Sequence, residues 1–407
     1  MKITFFFPDK KIGGVSILFA NLANYISLNF DYIEIFVIDY VGGTLWENIK
    51  SDLVKKIPFV DGEDCFPAQD SYLVMQSIVL NTMRSELRIG QEQKILFWHL
   101  HPYNYQINKL FKIDFIDKII NKFRLGQRKK IKESIQIIDK FNGLVFMDGS
   151  NFEKTIDSYN LRIKENYLPI TNLKPNLGSL KINLDISNEI NFSFVGRLTA
   201  FKYYPLIKLL KNINKFVLEN IDSPKINFFI IGTGEYENSL IKEIKKLNFE
   251  VNLLGEINYS DLSNFFLTHN IKINFSMGTS ALDSACLGIP TVILDYSFVE
   301  IEGYPNYKWI YNEKKYSLAK ELNNSSLSLH DNYSFDKLIK EVKNSFDLIS
   351  EKTLNYYDKN YAISKISDLL IKYFKTSNLQ FKQIKQYCRK SLIRKINDNY
   401  KLYNSNI

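Results

Sequence analysis

The chain has 407 residues, of which 45% are hydrophobic and 24% are charged, an ordinary globular composition that is long enough for two domains. The formal net charge of +9 predicts a surface that attracts polyanions, whether nucleic acid, anionic lipid or a phosphorylated substrate. Three widely separated cysteines form no CxxC pair, which argues against a zinc site and a disulfide framework. No apolar run reaches the roughly 18 residues of a membrane span. We therefore expect a cytoplasmic protein, free or peripherally attached to a membrane.

The first part of the chain alternates apolar strands with helical segments. The glycine pair Gly13-Gly14 separates the first strand from a predicted helix over 16–28, and each later strand ends at polar or glycine residues. Such alternation predicts a parallel sheet with helices on both faces. We assign residues 1–178 to a Rossmann-like, acceptor-side domain, with strands predicted at 2–7, 33–38, 72–75, 95–98 and 144–147.

A second set of strands and helices begins near residue 189. It predicts a second Rossmann-like domain over residues 189–350, with strands at 192–195, 226–231, 251–254, 271–275 and 291–294. Two such domains in tandem form an α/β fold in which the carboxyl ends of two parallel sheets face a central cleft. Beyond them we expect a helix over 351–375 that packs back towards the N-terminal domain, and a basic amphipathic tail over 376–407.

The start of the second domain carries a pair of cations. Phe194-Val195-Gly196-Arg197-Leu198, followed by Lys202, resembles the strand, loop and helix that open the C-terminal domain of group 1 (GT4-type) glycosyltransferases. The resemblance implies the GT-B fold and a nucleotide-sugar donor whose diphosphate is held by Arg197 and Lys202. Two cations at a strand end would stabilise the charge of a leaving diphosphate as the glycosidic bond breaks. On spacing alone, the alternative is a surface Arg and Lys paired with carboxylates.

Further glycine turns resemble the same family, in the same order along the chain. They imply a donor site built from the turns that follow successive strands. A turn at a helix N-terminus binds phosphate through its amides, although a single Gly-x-Gly often marks only a tight turn. The donor-binding positions implied are Gly13 and Gly14 in the first domain, and Gly232, Gly234, Gly255, Glu256, Ile257, Gly278, Thr279 and Ser280 in the second. The resemblance also implies that the backbone after the strand 251–254 contacts the nucleotide base.

The acids of the donor site depart from the family. Group 1 enzymes usually carry two glutamates; here Asp283 stands in place of the second, and Phe275 in place of the first. The resemblance implies that Asp283 accepts from the ribose hydroxyls, and the alternative is a first-turn acid stabilised by the helix dipole. The short turn that ends at Asp283 is also similar to that of inverting GT-B enzymes. The cation pair favours retention of the anomeric configuration, with inversion as the alternative.

Two histidines follow the predicted strand 95–98, at the edge expected to face the cleft. In group 1 enzymes a histidine of this region contacts the donor sugar, and the resemblance implies that role here. The alternative is a loop histidine bonded to the backbone. An inverting enzyme would need a general base near the acceptor hydroxyl, for which the candidates are His99, His101 and Asp9. No cluster of carboxylates or cysteines accompanies the histidines, so we expect no metal.

Two basic segments mix cations with apolar residues at helical spacing. They are Lys109–Lys132 and the C-terminal tail, whose apolar positions are Phe381, Ile384, Leu392 and Ile396. The pattern is typical of a helix on an anionic membrane surface. A helix that packs on its own domain and leaves a basic face in solvent would give the same pattern.

The sequence therefore predicts a hexosyltransferase-type glycosyltransferase at the inner face of the cytoplasmic membrane. It would use a UDP- or GDP-sugar without a cofactor or metal, and act on a glycan or lipid-linked glycan acceptor of bacterial lipopolysaccharide or capsule. A nucleotide-sugar epimerase of the same fold is less favoured, because it would need more acids in the first domain. Nucleic-acid binding is not expected, since no helix-turn-helix, zinc-finger or RNA-binding motif is present.

Overall fold

The computed structural model describes residues 1–10, 13–105, 117–175, 189–220, 224–303, 305, 307–322 and 335–388; within 117–140, side chains are described from residue 125 onward. The chain divides into two compact units. The first comprises Met1–Pro169 and the residues from Ile366 onward, and the second comprises Ile170–Lys365. Each unit holds a six-stranded sheet, as the alternation of strands and helices predicts. Within the described residues, no helix is both long and apolar enough to cross a membrane.

The strands of the first sheet are all parallel. They are β1 (Lys2–Phe6), β2 (Glu34–Asp39), β3 (Val54–Pro58), β4 (Ser71–Gln76), β5 (Lys94–His99) and β6 (Leu144–Phe146). They pair in the order β3-β2-β1-β4-β5-β6. The sequence did not predict β3, an edge strand in which Lys55 and Lys56 are exposed. Edge lysines hinder pairing with other chains, and they also remove the continuous apolar run that identifies a buried parallel strand.

The helices of this unit before the second sheet are α1 (Gly14–Asn29), α2 (Thr44–Glu47), α3 (Asp117–Lys140) and α4 (Gly149–Tyr159). In the described part of α3, Ile131, Ile135 and Ile138 are buried in the core of the unit. Two of its cations, Arg128 and Lys132, donate to the carbonyls of Ser158 and Asn160 at the end of α4. Cations at a helix C-terminus are favoured by its partial negative charge. The rest of the predicted membrane segment, 109–124, lies outside the described side chains.

The second sheet is parallel except for its last strand. Its strands are β7 (Glu189–Val195), β8 (Lys225–Ile231), β9 (Glu250–Gly255), β10 (Ile271–Ser276), β11 (Thr291–Ile293) and β12 (Lys308–Trp309), in the order β12-β11-β10-β7-β8-β9. β12 pairs with β11 in the antiparallel direction. The helices are α5 (Ala200–Glu219), α6 (Glu237–Ile244), α7 (Tyr259–Thr268), α8 (Thr279–Ala285) and α9 (Phe335–Asn360).

An aromatic cluster fills the core of the second unit. Phe275 is fully buried in β10, and its ring lies 5.7 Å from Phe192, 6.1 Å from Phe228 and 6.4 Å from Phe335 between centroids. A carboxylate placed among these rings would lose its hydration without gaining a partner. The position that matches the first family glutamate is therefore a core position in this chain.

Two glycine turns make a backbone contact at the carboxyl end of the second sheet. Gly196 N–H donates to the Ile231 carbonyl (2.9 Å), and Leu198 N–H donates to the Thr233 carbonyl (2.9 Å). Gly232 has a φ of +128°, and a Cβ built on it would overlap the Gly196 carbonyl. A Cβ on Gly234, with a φ of +159°, would lie 2.5 Å from the Leu198 carbonyl oxygen. Only glycine permits this approach of the turns after β7 and β8.

A proline in α5 anchors the loop that follows β11. Pro205 has no N–H, so the carbonyl four residues earlier, on Phe201, lacks its helical partner. Ser297 N–H donates to that carbonyl instead (3.1 Å). The ring of Phe201 lies 6.1 Å from Tyr296 and 6.0 Å from Phe298, between centroids. The break in the helix ladder thus fixes the loop beside the start of α5.

The residues from Ile366 onward complete the first unit. Helix α10 (Ile363–Thr376) places Phe374 against Tyr72, at 4.8 Å between ring centroids. Leu379 is fully buried and its carbonyl accepts from Ile95 N–H (3.0 Å), and α11 (Phe381–Ile384) follows it.

These contacts correct two expectations about the end of the chain. The predicted helix 351–375 is interrupted between α9 and α10, so residues 351–365 belong to the second unit. The predicted basic tail begins as a packed segment: Ile384 is fully buried, Phe381 packs against the same core, and Lys382 pairs with Glu92 at 2.8 Å. Because these apolar side chains pack into their own domain, they do not form an apolar face for a membrane. Leu392 and Ile396 lie outside the described residues.

Candidate functional site

Most of the predicted donor-binding residues lie together at one edge of the second sheet. Because β7, β8, β9 and β10 are parallel, their carboxyl ends share that edge. The turns after these strands contain Arg197, Gly232–Gly234, Gly255–Ile257 and Gly278–Ser280, respectively. The structure therefore assembles within one unit a site that the sequence placed in four separate segments.

Arg197 and Lys202 form a cation pair at the end of β7. A Cβ built on Gly196 would lie 2.7 Å from Lys202 Nζ, so the ammonium group lies directly over the glycine backbone. Burial, and then the charge of Arg197, lowers the pKa of Lys202 to about 8. Neither cation makes an ion pair or hydrogen bond within the described part of the chain. The predicted alternative, pairing with carboxylates, is therefore not observed among those residues.

The first turn of α5 adds to the positive potential beside this pair. Thr199 is the N-cap residue of the helix, but its side chain makes no capping bond. Its hydroxyl is buried and has no partner among the described residues. The N-terminus of a 20-residue helix carries partial positive charge and exposed amides. Two cations, a helix N-terminus and an unused hydroxyl together suit an anion with several oxygens.

The turn after β10 begins α8. Gly278 is the N-cap residue, with a φ of +66° that favours glycine, and its N–H donates to the Leu318 carbonyl (3.0 Å). Thr279 is exposed at the first position of the helix. Ser280 is buried, and its hydroxyl donates to the Met277 carbonyl (3.0 Å). Of the two predicted hydroxyls, that of Thr279 is therefore the one exposed to a ligand.

The turn after β9 is joined to the glycine turn after β8. Gly255 has a φ of +68°, and its carbonyl accepts from Gly232 N–H (2.7 Å). The Thr233 hydroxyl donates to Glu256 Oε1 (2.7 Å). Ile257 packs against the cluster that contains Ile231. These bonds fix the backbone of the turn that the sequence assigns to the nucleotide base.

Asp283, on α8, lies in a polar cluster inside the second unit. Asn172 Nδ2 and Tyr259 OH both donate to its Oδ1, at 2.9 and 3.1 Å. Burial raises the pKa of Asp283 to about 6, against the opposing effect of these two donors. The Cys286 thiol donates to the Asp283 backbone carbonyl (3.2 Å), and burial raises the pKa of that thiol to about 12. Asp283 lies beyond the first turn of α8, so the predicted alternative of a first-turn acid is wrong, and its carboxylate is held by side-chain donors instead.

The first unit has its own organised edge at the carboxyl ends of β1 and β2. Asp39 is fully buried and accepts from the backbone N–H groups of Asp9 (3.2 Å), Tyr40 (2.8 Å) and Trp46 (3.1 Å). A Cβ on Gly43 would overlap this carboxylate. Burial raises the pKa of Asp39 despite these bonds. Asp39 therefore fixes the loop that carries the half-buried Asp9.

The glycine pair of the first unit lies at the start of α1. Gly13 is its N-cap residue in extended conformation, and Gly14 is its first residue. The Gly13 carbonyl accepts from Ile17 N–H (3.4 Å). Both glycines lie close to the carboxyl end of β1 along the chain, where a loop–helix junction presents free amides. They belong to the first unit, whereas the other predicted donor-binding residues belong to the second.

His99 is a core residue. It is fully buried, its ring stacks at 4.9 Å on Tyr105, and burial lowers its pKa to about 3. The Thr155 hydroxyl donates to the Asn151 carbonyl (2.8 Å), so it accepts from His99 Nε2 (3.2 Å). A neutral imidazole enclosed on all sides is unsuited to proton transfer with a substrate. This setting argues against His99 as the catalytic base and makes it a packing residue of β5.

His101 is exposed, two residues further along. Its Nδ1 accepts from Tyr103 N–H (3.2 Å), which assigns the proton of the neutral ring to Nε2. Desolvation lowers the pKa of the ring, which favours the neutral form. His101 therefore presents a hydrogen-bond donor at Nε2. That property suits contact with a hydroxyl or carbonyl oxygen better than removal of a proton.

A family comparison identifies the second unit. Residues 181–323 match the model of the family described as glycosyl transferases group 1. The second unit thus carries the match to the group 1 glycosyltransferases. The matched segment contains the cation pair, the glycine turns and Asp283. No curated protein sequence matches the chain at a significant level.

Solved structures extend the likeness over both units. A TarM variant from S. aureus, solved with UDP among its ligands, has a TM-score of 0.53 at 10% identity, over 92% of this chain and 99% of that one. An E. coli structure described as trehalose-6-phosphate bound with UDP-2-fluoro glucose has a TM-score of 0.54 at 11% identity, over 92% of this chain and 99% of that one. The N-terminal domain of Candida albicans trehalose-6-phosphate phosphatase has a TM-score of 0.52 at 10% identity, over 92% of this chain and 97% of that one. At these identities the likeness is one of fold, and it confirms the predicted GT-B class.

The sequence did not reveal three residues of these sites. Asn172 falls in the segment assigned to the first domain, beyond its last predicted strand, and no motif includes it. Tyr259 follows the predicted base turn by two residues, and that proximity was its only signal. Asp39 ends a predicted strand, but an acid at a strand end does not reveal that it binds three backbone amides. Each role depends on a partner distant in sequence.

We predict that Lys202→Met stabilises the ligand-free protein while it weakens anion binding. At pH 7 the native state holds an ammonium group that has no partner among the described residues, and its pKa of about 8 lies below its unfolded value of 10.5. Removal of that charge should raise the free energy of unfolding by about 1–2 kcal/mol, less than the full shift because of solvent screening. Urea unfolding measures this. Lys211→Met is the control, because Lys211 lies on the same helix and pairs with Glu300 (3.3 Å). A clear loss of stability in Lys202→Met would show that Lys202 is a structural cation.

A second prediction concerns pH. Because the pKa of Asp283 is raised to about 6 from 3.8, the native state binds the proton more tightly than the unfolded chain does. The contribution of Asp283 to stability should therefore fall as pH rises from about 4 to about 6 and stay lost above that. Asp283→Asn should be more stable than the parent by about 1–2 kcal/mol at pH 7.5 and equal to it at pH 4. Urea unfolding against pH measures the difference, with the exposed Asp347→Asn as control. An equal effect of both substitutions at pH 7.5 would contradict the assignment.

Proposed function

We propose that the chain is a glycosyltransferase that moves a hexosyl unit from a nucleotide-diphosphate sugar to a growing bacterial cell-surface glycan. The observation that carries the proposal is the cation pair Arg197 and Lys202, without a partner among the described residues, in a group 1 glycosyltransferase domain. A polyanionic ligand would supply the missing negative charge. UDP-sugars are the first donors to test, since two solved structures of the same fold hold UDP or a UDP-sugar analogue, and GDP-sugars are the second.

The cation pair would act mainly in the transition state. As the bond between the anomeric carbon and the diphosphate breaks, negative charge grows on the leaving oxygen. Arg197 and Lys202 are already in place beside that charge, so no reorganisation is needed during the step. An anion bound against Lys202 would also raise its pKa from about 8 and keep it protonated at neutral pH. We propose that these cations take the charge-neutralising role without a metal ion.

The remaining turns would hold the rest of the donor. The Gly278–Thr279 turn offers amides and one exposed hydroxyl to phosphate or sugar oxygens. The backbone of Gly255–Ile257 would contact the base, and Asp283 would accept from the ribose hydroxyls. With Phe275 in the core, the family contact to the sugar from that position is absent, so Thr279 is the neighbouring polar group on this turn.

We favour retention of the anomeric configuration, and His101 supports it. Its Nε2 carries the proton in the neutral ring, so it would donate to a substrate oxygen. In retention the leaving phosphate can accept the proton of the attacking hydroxyl, and no protein base is required. Inversion would need a base on the opposite face, and with His99 enclosed the role would fall to Asp9. An epimerase of the same fold stays the less favoured alternative.

We further propose that the acceptor is a glycan or lipid-linked glycan of lipopolysaccharide or capsule type, used at the inner face of the cytoplasmic membrane. The net charge of +9 favours an anionic surface. The membrane contact would come from 109–124 and the end of the tail, since the described residues of α3 and α11 pack on their own unit. Co-sedimentation with phosphatidylglycerol vesicles should be strong at low salt and weak at high salt, because salt screens the attraction. Equal recovery with phosphatidylcholine vesicles would exclude an electrostatic contact.

The test of function is donor use by the full chain. Thermal shift against UDP, GDP and an oligonucleotide should show stabilisation by a nucleoside diphosphate. With the donor so found, Arg197→Ala should lower the turnover number for sugar transfer by about a hundredfold or more, the usual effect of losing one preorganised charge. Lys211→Ala should leave turnover unchanged.

Product analysis separates the alternatives. Proton NMR of the new linkage should show the anomeric configuration of the donor, and the opposite configuration would establish inversion. Stabilisation by the oligonucleotide alone would overturn the proposed function. Isomerisation of the donor sugar without transfer to an acceptor would favour the epimerase.

A further inference from the structure

Asp283 has two carboxylate oxygens, and the protein binds only one of them in the described part of the chain. Asn172 Nδ2 and Tyr259 OH both donate to Oδ1, at 2.9 and 3.1 Å. The described residues place no donor on Oδ2. Two donors on Oδ1 hold the carboxylate plane against rotation, so that Oδ2 points away from both donors. The cluster thus produces one fixed, ionisable acceptor on the second turn of α8.

The two donors are themselves held in place. The Asn172 carbonyl accepts from Tyr357 OH (3.2 Å), and the neighbouring Thr171 hydroxyl donates to the Tyr361 carbonyl (2.5 Å). Asn172 is 3% exposed, so its amide has no freedom to turn towards solvent. These contacts tie the chain that enters the second unit to the end of α9. A side chain fixed in this way serves orientation better than one on a free loop.

Tyr259 connects the carboxylate to the turn after β9. It is the first residue of α7 and follows Ile257 by two residues, and it is 48% exposed. Its hydroxyl bonds to Asp283 while part of its ring faces solvent at the ligand-binding edge. Burial of the hydroxyl, and then the carboxylate beside it, raises the pKa of Tyr259, so the phenol keeps the proton that it donates. Tyr259 therefore lies between the turn assigned to the base and the acid assigned to the ribose.

We propose that Tyr259 and Asn172 are positioning residues that hold Asp283 so that its Oδ2 accepts from the vicinal hydroxyls of a ribose, and that they thereby make the site selective for ribonucleotides. The inference rests on the proposed function, because it assigns a nucleoside to this edge of the sheet. Hydrogen bonds to a charged acceptor contribute about 1.5–3 kcal/mol each. Because the carboxylate is already fixed, it loses no rotational freedom when it binds a ribose. More of the hydrogen-bond free energy therefore contributes to affinity.

The experiment measures discrimination between sugars, which a merely structural role would not change. Calorimetric titration of the full chain with UDP and with 2′,3′-dideoxy-UDP gives a ratio of dissociation constants, expected to favour UDP by about tenfold or more. GDP and its dideoxy form are titrated in parallel. Tyr259→Phe keeps the ring and removes the donor, and Asn172→Leu removes the other donor at similar volume. Each should reduce the ratio by about three- to tenfold, whereas Asp283→Asn should bring it close to one.

The controls separate the two levels of the proposal. Tyr32→Phe, an exposed tyrosine of the first unit, should leave the ratio unchanged. If Asp283→Asn removes the discrimination while Tyr259→Phe and Asn172→Leu retain the parental ratio, the positioning role is wrong and the donor site stands. If neither nucleotide binds, or Asp283→Asn keeps the full ratio, the proposed donor site itself is wrong and the positioning role falls with it. Tyr259→Phe remains decisive if Asn172→Leu does not fold.

Discussion

The candidate site depends on one close backbone contact in the second unit. Gly196 and Leu198, which follow β7, bond to Ile231, the last residue of β8, and to Thr233 in the turn after it, with no space between the two turns for a side chain. This contact brings two strand-end turns to a separation that ordinary residues would prevent. Lys202 then lies over the Gly196 backbone, and Arg197 stands beside it. The positions of the two cations thus depend on glycines, because a Cβ atom at these positions would prevent the approach of the turns.

Two ionisable groups at the carboxyl edge of the second sheet, Lys202 and Asp283, are held at a cost to the stability of the fold. The pKa of Lys202 is lowered and that of Asp283 is raised, so each group is less easily charged in the native state than in water. Opposite shifts of a cation and an anion that do not pair with each other are typical of sites organised for a ligand. A structural ion pair would shift both values in the other direction. The native fold therefore retains two groups whose charged forms are disfavoured by burial, and a bound molecule that pairs with them would reduce this cost.

Strand periodicity and glycine spacing were sufficient to predict both sheets, apart from the edge strands β3 and β12, and the turns at the carboxyl edge of the second sheet. They failed where the decisive contact is distant in sequence. β3 was missed because its lysines serve an exposed edge. The role of Asn172 depends on Asp283, more than a hundred residues away. His99 and His101 look equivalent in the sequence, yet one extra residue of strand pairing leaves the first in the core and the second outside. The local sequence pattern predicts which face of a strand a side chain occupies, whereas the exposure of that side chain depends on the packing of the whole unit.

The discontinuity of the first unit has a consequence for how the protein is made. Its sheet is complete by Phe146, but Leu379 and Ile384, which close its core, are synthesised more than two hundred residues later. During synthesis, the first six strands therefore leave exposed the apolar surface that Leu379 and Ile384 later cover, until the whole second unit has emerged from the ribosome. We therefore expect the second unit to complete its core before the first. A prematurely terminated chain that ends after the second unit would keep an incomplete first unit, a species suited to capture by chaperones and proteases.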